Sequence, residues 1–313
     1  MVSSKTRKRK MTSTKIVEHI LPFLSSQTLR VLSKSGRKPN MTAASSRLRV
    51  LKGAKFDFLL RGAERVVFCS AVTRHSNKKR WNRWLEEDYR NTHVISFMVY
   101  GSGNDEQDDD AETVPSEEML KIAELPVDQN EASKWDNCGI ANRLLITNVR
   151  KSEEVSVVAA LARTISPNFY SVELSDLRGC AEGINTLLRR VERSGDCGNL
   201  YLIECEVTRE TMELVKTIVK QNQLESLTVT CLEERCSLDF LMEIVDFFVQ
   251  NEATKKISFL AANRGVYEEV IRLVDERVNS GVAASRISVY DSGYEGLGIG
   301  FTVTAVSQAS ERV

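Results

Sequence analysis

The chain has 313 residues, of which 42% are hydrophobic and 27% charged, a composition that provides for two ordinary domains or one long repeat array. Lys+Arg and Asp+Glu both total 43, so no net charge draws the whole molecule to a polyanion, and nucleic acid is not an expected partner. No run approaches about 18 consecutive apolar residues, so no membrane-spanning helix is read and a membrane is not an expected partner.

From the N-terminus, residues 1–13 are polar and read as a disordered tail. Lys5, Arg7, Lys8, Arg9 and Lys10 form a basic cluster of the nuclear-localisation kind, and no apolar stretch follows it as a secretory signal would require. The seven cysteines are an odd number and include no C-x-x-C pair, which points to a reducing compartment. The expected location is therefore cytoplasmic, nuclear or both. Residues 14–60 read as short helices, and residues 61–103 alternate strand and helix. Within the latter, Trp81 and Trp84 mark the inner face of a basic amphipathic helix. Residues 104–117 carry Asp105, Glu106, Asp108, Asp109, Asp110 and Glu112, and with Gly101, Gly103 and Pro115 around them they read as an acidic loop.

The strongest signal is a repeat. Apolar-x-apolar pairs recur at Val66-x-Phe68, Ile95-x-Phe97, Leu144-x-Ile146, Val172-x-Leu174, Leu200-x-Leu202, Leu227-x-Val229, Ile257-x-Phe259 and Ile287-x-Val289. The spacing is 27 to 30 residues except across the acidic stretch. Helical patterns fill the gaps: Ser152–Ile165 with Val155, Val158 and Leu161; a second with Ile184, Leu187, Leu188 and Val191; Thr208–Val219 with Thr208 as cap; Ser237–Val249; and Val266–Val278. A lone strand–helix unit cannot bury its apolar faces, whereas stacked units share one core. The expected fold is an α/β solenoid, a parallel sheet with helices on its outer side. A doubly wound α/β domain also alternates strand and helix, but the near-constant spacing favours the solenoid. At the end, Arg286–Tyr290 and Ile299–Thr304 flank a glycine-rich loop and predict a hairpin whose last strand blunts the open edge.

The units resemble leucine-rich repeats of the ribonuclease-inhibitor type. Leu224-x-x-Leu227-x-Val229 and Phe169-x-x-Val172-x-Leu174 keep the three apolar positions of that pattern, and Leu200-x-Leu202-x-x-Cys205 keeps its turn cysteine. The turn position is elsewhere Leu177, Leu232 or Ala262, so the array is irregular and lacks the family's asparagine ladder. Residues 16–34 resemble the central part of an F-box: Ile20-Leu21-x-x-Leu24 fills the first core and Leu29-x-x-Leu32-Ser33 the second. The opening Leu-Pro of that motif is missing at Thr12-Ser13. The order, F-box-like segment 14–60 and then repeat domain 61–313, resembles the divergent F-box families expanded in nematodes.

The resemblance implies a substrate-recruiting subunit of a cullin-type ubiquitin ligase. Ile20, Leu21, Leu24, Leu29 and Leu32 would dock a Skp-type adaptor, and the repeats would hold a protein substrate. Independently, alternation along the strands turns Glu173, Ser175, Tyr201, Thr228, Thr230, Lys256, Ser258, Arg286, Ser288 and Tyr290 away from the apolar anchors. Glu173, Tyr201, Thr228, Lys256, Ser258, Arg286 and Tyr290 are the candidate partner-binding residues. Their polar character with two tyrosines suits protein recognition.

Catalysis is not expected. His19, His75 and His93 have no metal-ligand spacing to cysteine or carboxylate, and no P-loop, G-x-S-x-G or dinucleotide fingerprint occurs. No cofactor or metal is predicted. The competing readings are a repeat-based scaffold unconnected to ubiquitin and an α/β enzyme with its site at the C-terminal ends of the strands.

Overall fold

A computed structural model describes residues 52–73, 92–102, 112–127, 142–221, 226–231, 256–261, 285–290 and 299–305, and the single positions 32, 34, 41, 42, 224, 243, 269, 272, 273 and 276. The strands are β1 (Lys52–Leu60), β2 (Arg65–Thr73), β3 (Thr92–Tyr100), β4 (Glu112–Pro115), β5 (Arg143–Val149), β6 (Ser171–Leu177), β7 (Asn199–Ile203), β8 (Ser226–Cys231), β9 (Lys256–Ala261), β10 (Ser285–Tyr290) and β11 (Ile299–Ala305). The helices described along their length are α1 (Ser116–Ala123), α2 (Ser152–Thr164), α3 (Ala181–Ser194) and α4 (Arg209–Lys220). All eleven strands join one open, mixed sheet in the order β10-β11-β9-β8-β7-β6-β5-β3-β1-β2-β4. The protein is thus of the α/β class.

From β5 to β9, consecutive strands are neighbours and parallel. The register is regular. Leu144, Val172, Leu200, Leu227 and Ile257 lie side by side, as do Ile146, Leu174, Leu202, Val229 and Phe259. The first four of each row are buried in the main core. Each parallel step needs a crossover, and α2, α3 and α4 supply the first three, packing side by side. Their apolar stripes follow the predicted spacing at Ile184, Leu187, Leu188 and Val191 on α3 and at Met212, Val215, Ile218 and Val219 on α4. On α2 Val158 and Leu161 are buried as predicted, with Val157 beside them, and the predicted Val155 is only half-buried.

The helix starts follow local chemistry. Thr208 caps α4: its hydroxyl accepts from the Thr211 amide while the Thr211 hydroxyl accepts from the Thr208 amide. Helix α2 begins after Lys151 rather than at a serine cap, with Glu153 and Glu154 in its first turn where the helix dipole favours negative charge.

The units of β5, β6 and β7 also turn alike at the C-terminal ends of their strands. Asn148, Asp176 and Glu204 adopt positive φ of 59°, 49° and 51°. One left-handed residue breaks the in-out alternation, so Val149, Leu177 and Cys205 point back into the core. This places the predicted turn cysteine: the buried Cys205 thiol donates to the Leu174 carbonyl of the preceding strand at 3.2 Å. Hydrogen bonds between units continue beyond the strands, from Arg178 N to Val149 O at 2.9 Å and from Glu206 N to Leu177 O at 3.2 Å.

Several expectations are corrected. The helical reading of residues 14–60 fails at Lys52–Leu60, which is β1, a strand with Ala54, Phe56, Phe58 and Leu60 in the core. Val66-x-Phe68 belongs to β2, which runs antiparallel to β1 and does not touch β3, so it is not a unit of the parallel series. The cause is the short connection Arg61–Glu64, which permits only a hairpin. The acidic stretch is not loop throughout: Glu112–Pro115 is β4, paired with β2, and α1 starts at Ser116. The C-terminal hairpin forms as predicted, but β11 lies between β9 and β10, so β10 and not the last strand occupies the edge.

Candidate partner-binding face

Helices pack on one face of β5–β8, and the other face carries the side chains between the apolar anchors. Glu173, Tyr201 and Thr228 occupy one lateral row, each directly opposite the next across β6, β7 and β8. Neighbouring rows hold Ser171, Asn199 and Ser226 on one side and Ser175 and Ile203 on the other. All eight side chains are half-buried. Tyr201 is the one aromatic residue among these eight, which are otherwise mostly polar. Tyrosine is the residue type that interface hot spots favour, whereas serine, threonine and glutamate are depleted there.

The predicted partner-binding set is only partly contiguous. Ser258 extends the Tyr201 row onto β9, and Lys256 extends the adjacent row, but only the backbone of β9 is described. Arg286 and Tyr290 lie on β10, which β11 separates from β9, and Thr302 and Ser288 continue the row in their place. Of the predicted adaptor-binding residues, Leu32 is helical and half-buried, while Ile20, Leu21, Leu24 and Leu29 lie outside the described residues.

The same face changes character at β5. Leu59, Met98 and Leu145 point to it with only 5%, 7% and 8% of their surfaces exposed, and none of them belongs to the helix-side core. This part of the face is closed, and the open part starts at β6. A half-buried polar group marks the boundary. Arg143 Nη2 donates to Glu173 Oε2, and Lys55 Nζ lies 3.8 Å from Asp57. The Tyr100 hydroxyl sits 3.4 Å from Met98 Sδ. Burial pushes the Tyr100 phenol up, the Asp57 charge adds to this, and Arg143 opposes it. The sequence reading missed Lys55, Asp57, Tyr100 and Arg143. The alternation Lys55-Phe56-Asp57-Phe58 was the available signal for the first two.

An α/β enzyme would hold its chemistry at the strands' C-terminal ends, and at those of β3, β5, β6 and β7 acidic side chains engage neighbouring groups. Asp176 is nearly buried and accepts from Arg150 Nε at 2.6 Å, with Arg178 Nε at 3.5 Å. Glu206 accepts from the Gly179 amide, and buried Glu154 accepts from the Ser102 amide. Burial pushes the Cys180 thiol up to about 11 and those of Cys197 and Cys205 up to about 12, so they stay protonated and poorly nucleophilic at neutral pH. Among the described residues, no three His, Cys, Asp or Glu side chains converge to hold a metal ion, and no helix is long and apolar enough to cross a membrane. A cleft of about 620 Å³ lies at the other end of the sheet, lined by Glu64, Arg65, Thr113, Pro115 and Glu117, away from the Tyr201 row.

The chain matches no protein-family model, no curated protein and no solved structure.

Proposed function

We propose that this is a non-enzymatic protein-interaction module whose open sheet face, centred on Tyr201, takes a protein partner. On this reading β5–β9 with their helices form an irregular leucine-rich-repeat-like solenoid. The observation that carries it is the sequential, parallel, in-register stacking of the units, which aligns Glu173, Tyr201 and Thr228 on the face opposite the helices described for β5–β8. The left-handed residue repeated at Asn148, Asp176 and Glu204 supports one unit architecture used three times.

The F-box-like pattern at residues 16–34 extends the proposal. The chain recruits a substrate to a cullin-type ubiquitin ligase, with Ile20, Leu21, Leu24, Leu29 and Leu32 holding a Skp-type adaptor. Such a subunit performs no chemistry and acts by raising the local concentration of its substrate.

The test is a double dissociation in the full chain. Leu21→Asp with Leu24→Asp is expected to abolish capture of a purified Skp-type adaptor and to spare the partner bound at the open face. Tyr201→Arg is expected to do the reverse. Failure of the wild-type chain to bind the adaptor removes the ligase reading and leaves a repeat-based scaffold. Partner binding indifferent to Tyr201→Arg removes the face. Truncation is the weaker tool, because deleting residues 1–60 also removes β1 from the sheet.

A further inference from the structure

The open face holds a carboxylate in a defined place. Glu173 stands one strand away from Tyr201, in register, at the roughly 4.8 Å spacing of neighbouring strands. Arg143, from the other side, engages Oε2 alone. Among the described residues that carboxylate makes no other ion pair, and its side chain keeps 20% of its surface exposed. Arg143 therefore fixes the carboxylate in position without using both of its oxygens. Ser171 and Ser175 flank Glu173 along β6, with Leu145 across from it on β5, and Asn199, Ile203 and Thr228 neighbour Tyr201 on β7 and β8. Tyr201 is the one aromatic side chain among them, and it is half-buried.

From this juxtaposition we infer that the partner presents a basic side chain, lysine or arginine, which seats between the Glu173 carboxylate and the Tyr201 ring. The inference rests on the open face being the binding surface. Its chemistry is charge complementarity on two sides: the cation donates to the unengaged carboxylate oxygen and lies against the electron-rich face of the ring. Among the side chains described on this face an acidic partner group finds no equivalent, because Arg143 is already met by Glu173 and Lys55 by Asp57. An apolar partner side chain would gain contact with Tyr201 and Ile203 but would cover the carboxylate without pairing it, which is costly.

The experiment is selection of a random peptide library displayed on phage against the immobilised full-length chain. Selected peptides are then synthesised and titrated against wild type, Glu173→Gln and Tyr201→Ala. Glu173→Gln keeps the shape and removes the charge, and unchanged thermal melting of each variant establishes that it is folded. The expected result is a shared lysine or arginine whose replacement by methionine weakens binding about fivefold to tenfold. That loss should shrink to near nothing in the Glu173→Gln background, which shows that the two groups act on each other. Peptides that depend on Tyr201 but carry no basic residue, or whose basic residue is additive with Glu173→Gln, overturn the inference and leave the face intact. Peptides that ignore Tyr201→Ala, or no enrichment over the Tyr201→Ala protein, overturn the face as well.

Discussion

Between β5 and β9 the chain advances one strand at a time in one direction, whereas between β1 and β4 it doubles back, placing β3 beside β1 and sending β2 and β4 to the far edge. The two regions share one sheet and one core, yet they solve burial differently. In the repeating region the inward pairs of β5 to β8 share a core with α2, α3 and α4, and the opposite face carries Glu173, Tyr201 and Thr228. In the N-terminal region β3 is buried along nearly its whole length, on both faces. Its core side is aromatic: Phe58 contacts Phe68 and Phe97 with ring centroids 5.6 and 5.3 Å apart. The difference teaches where a partner can dock. A strand covered on both faces supplies stability and no surface, so the proposed docking surface falls in the region where, among the described residues, helices cover one face only.

The comparison breaks first at the aromatic cluster. Phe58→Ala removes a fully buried ring that bridges β1, β2 and β3, and should cost about 3–5 kcal/mol. Leu202→Ala, in the repeating region, should cost about 2–5 kcal/mol. The sharper distinction is cooperativity. If the sheet is one unit, both variants shift the urea midpoint with an unchanged slope. A lowered slope for Leu202→Ala alone would show that the repeats unfold apart from β1–β4, and the shared core would then be the wrong description.

A smaller effect probes the seam between the regions. Gly101 follows β3, and its amide donates to the Thr147 carbonyl of β5 at 2.8 Å. A Cβ there would stand 2.0 Å from the Asn148 carbonyl oxygen, a backbone atom that cannot swing away. Gly101→Ala should therefore destabilise by about 1–3 kcal/mol in chemical denaturation. Gly183, inside α3, is the counterpart within the repeats. A Cβ there meets Val158 at 3.4 Å and Ala159 at 3.5 Å, close to ordinary contact. The higher helix propensity of alanine, worth up to about 1 kcal/mol, should make Gly183→Ala neutral or stabilising. Equal losses at the two positions would mean that the α2–α3 contact is as unforgiving as the seam.

The regular part was legible because its period and its alternation coincide. Leu144-x-Ile146, Val172-x-Leu174 and Leu200-x-Leu202 mark strands whose neighbours in sequence are also neighbours in space, and Thr208 marks a helix start by capping chemistry. The irregular part hides its order for physical reasons. Val66-x-Phe68 alternates as any strand does, and alternation carries no information on direction, so antiparallel β2 passed for a repeat. Strand β1 ends in Phe58-Leu59-Leu60, apolar on both faces, which erases its period of two. Strand β4 has one inward side chain, Val114, and exists through its pairing with β2. At the candidate site, Glu173 and Tyr201 followed from the alternation. The Arg143–Glu173 pair did not, since it joins residues 30 apart and depends on the register of β5 against β6.

The regions differ last in their thiols. Cys180, Cys197 and Cys205 are buried in the repeating region, whereas Cys69, on β2, is half-buried. The ordinary thiol value is 9.0, and burial raises those of Cys197 and Cys205 to about 12 in the folded chain. Between these limits the unfolded chain has lost protons that the folded chain keeps, so the pH derivative of the unfolding free energy is negative. Stability is then lost as pH rises from about 9 towards about 12, by up to about 1.4 kcal/mol per pH unit for each thiol. Urea denaturation of wild type and of Cys197→Ala/Cys205→Ala at a series of pH values from neutral to alkaline measures this. The double variant should be weaker at neutral pH, because cavities replace the sulfurs, but its stability should decline less steeply in alkali. Parallel curves would mean that these thiols ionise alike in both states, and that the repeat core is wetter than the packing of Cys205 against the Leu174 carbonyl implies.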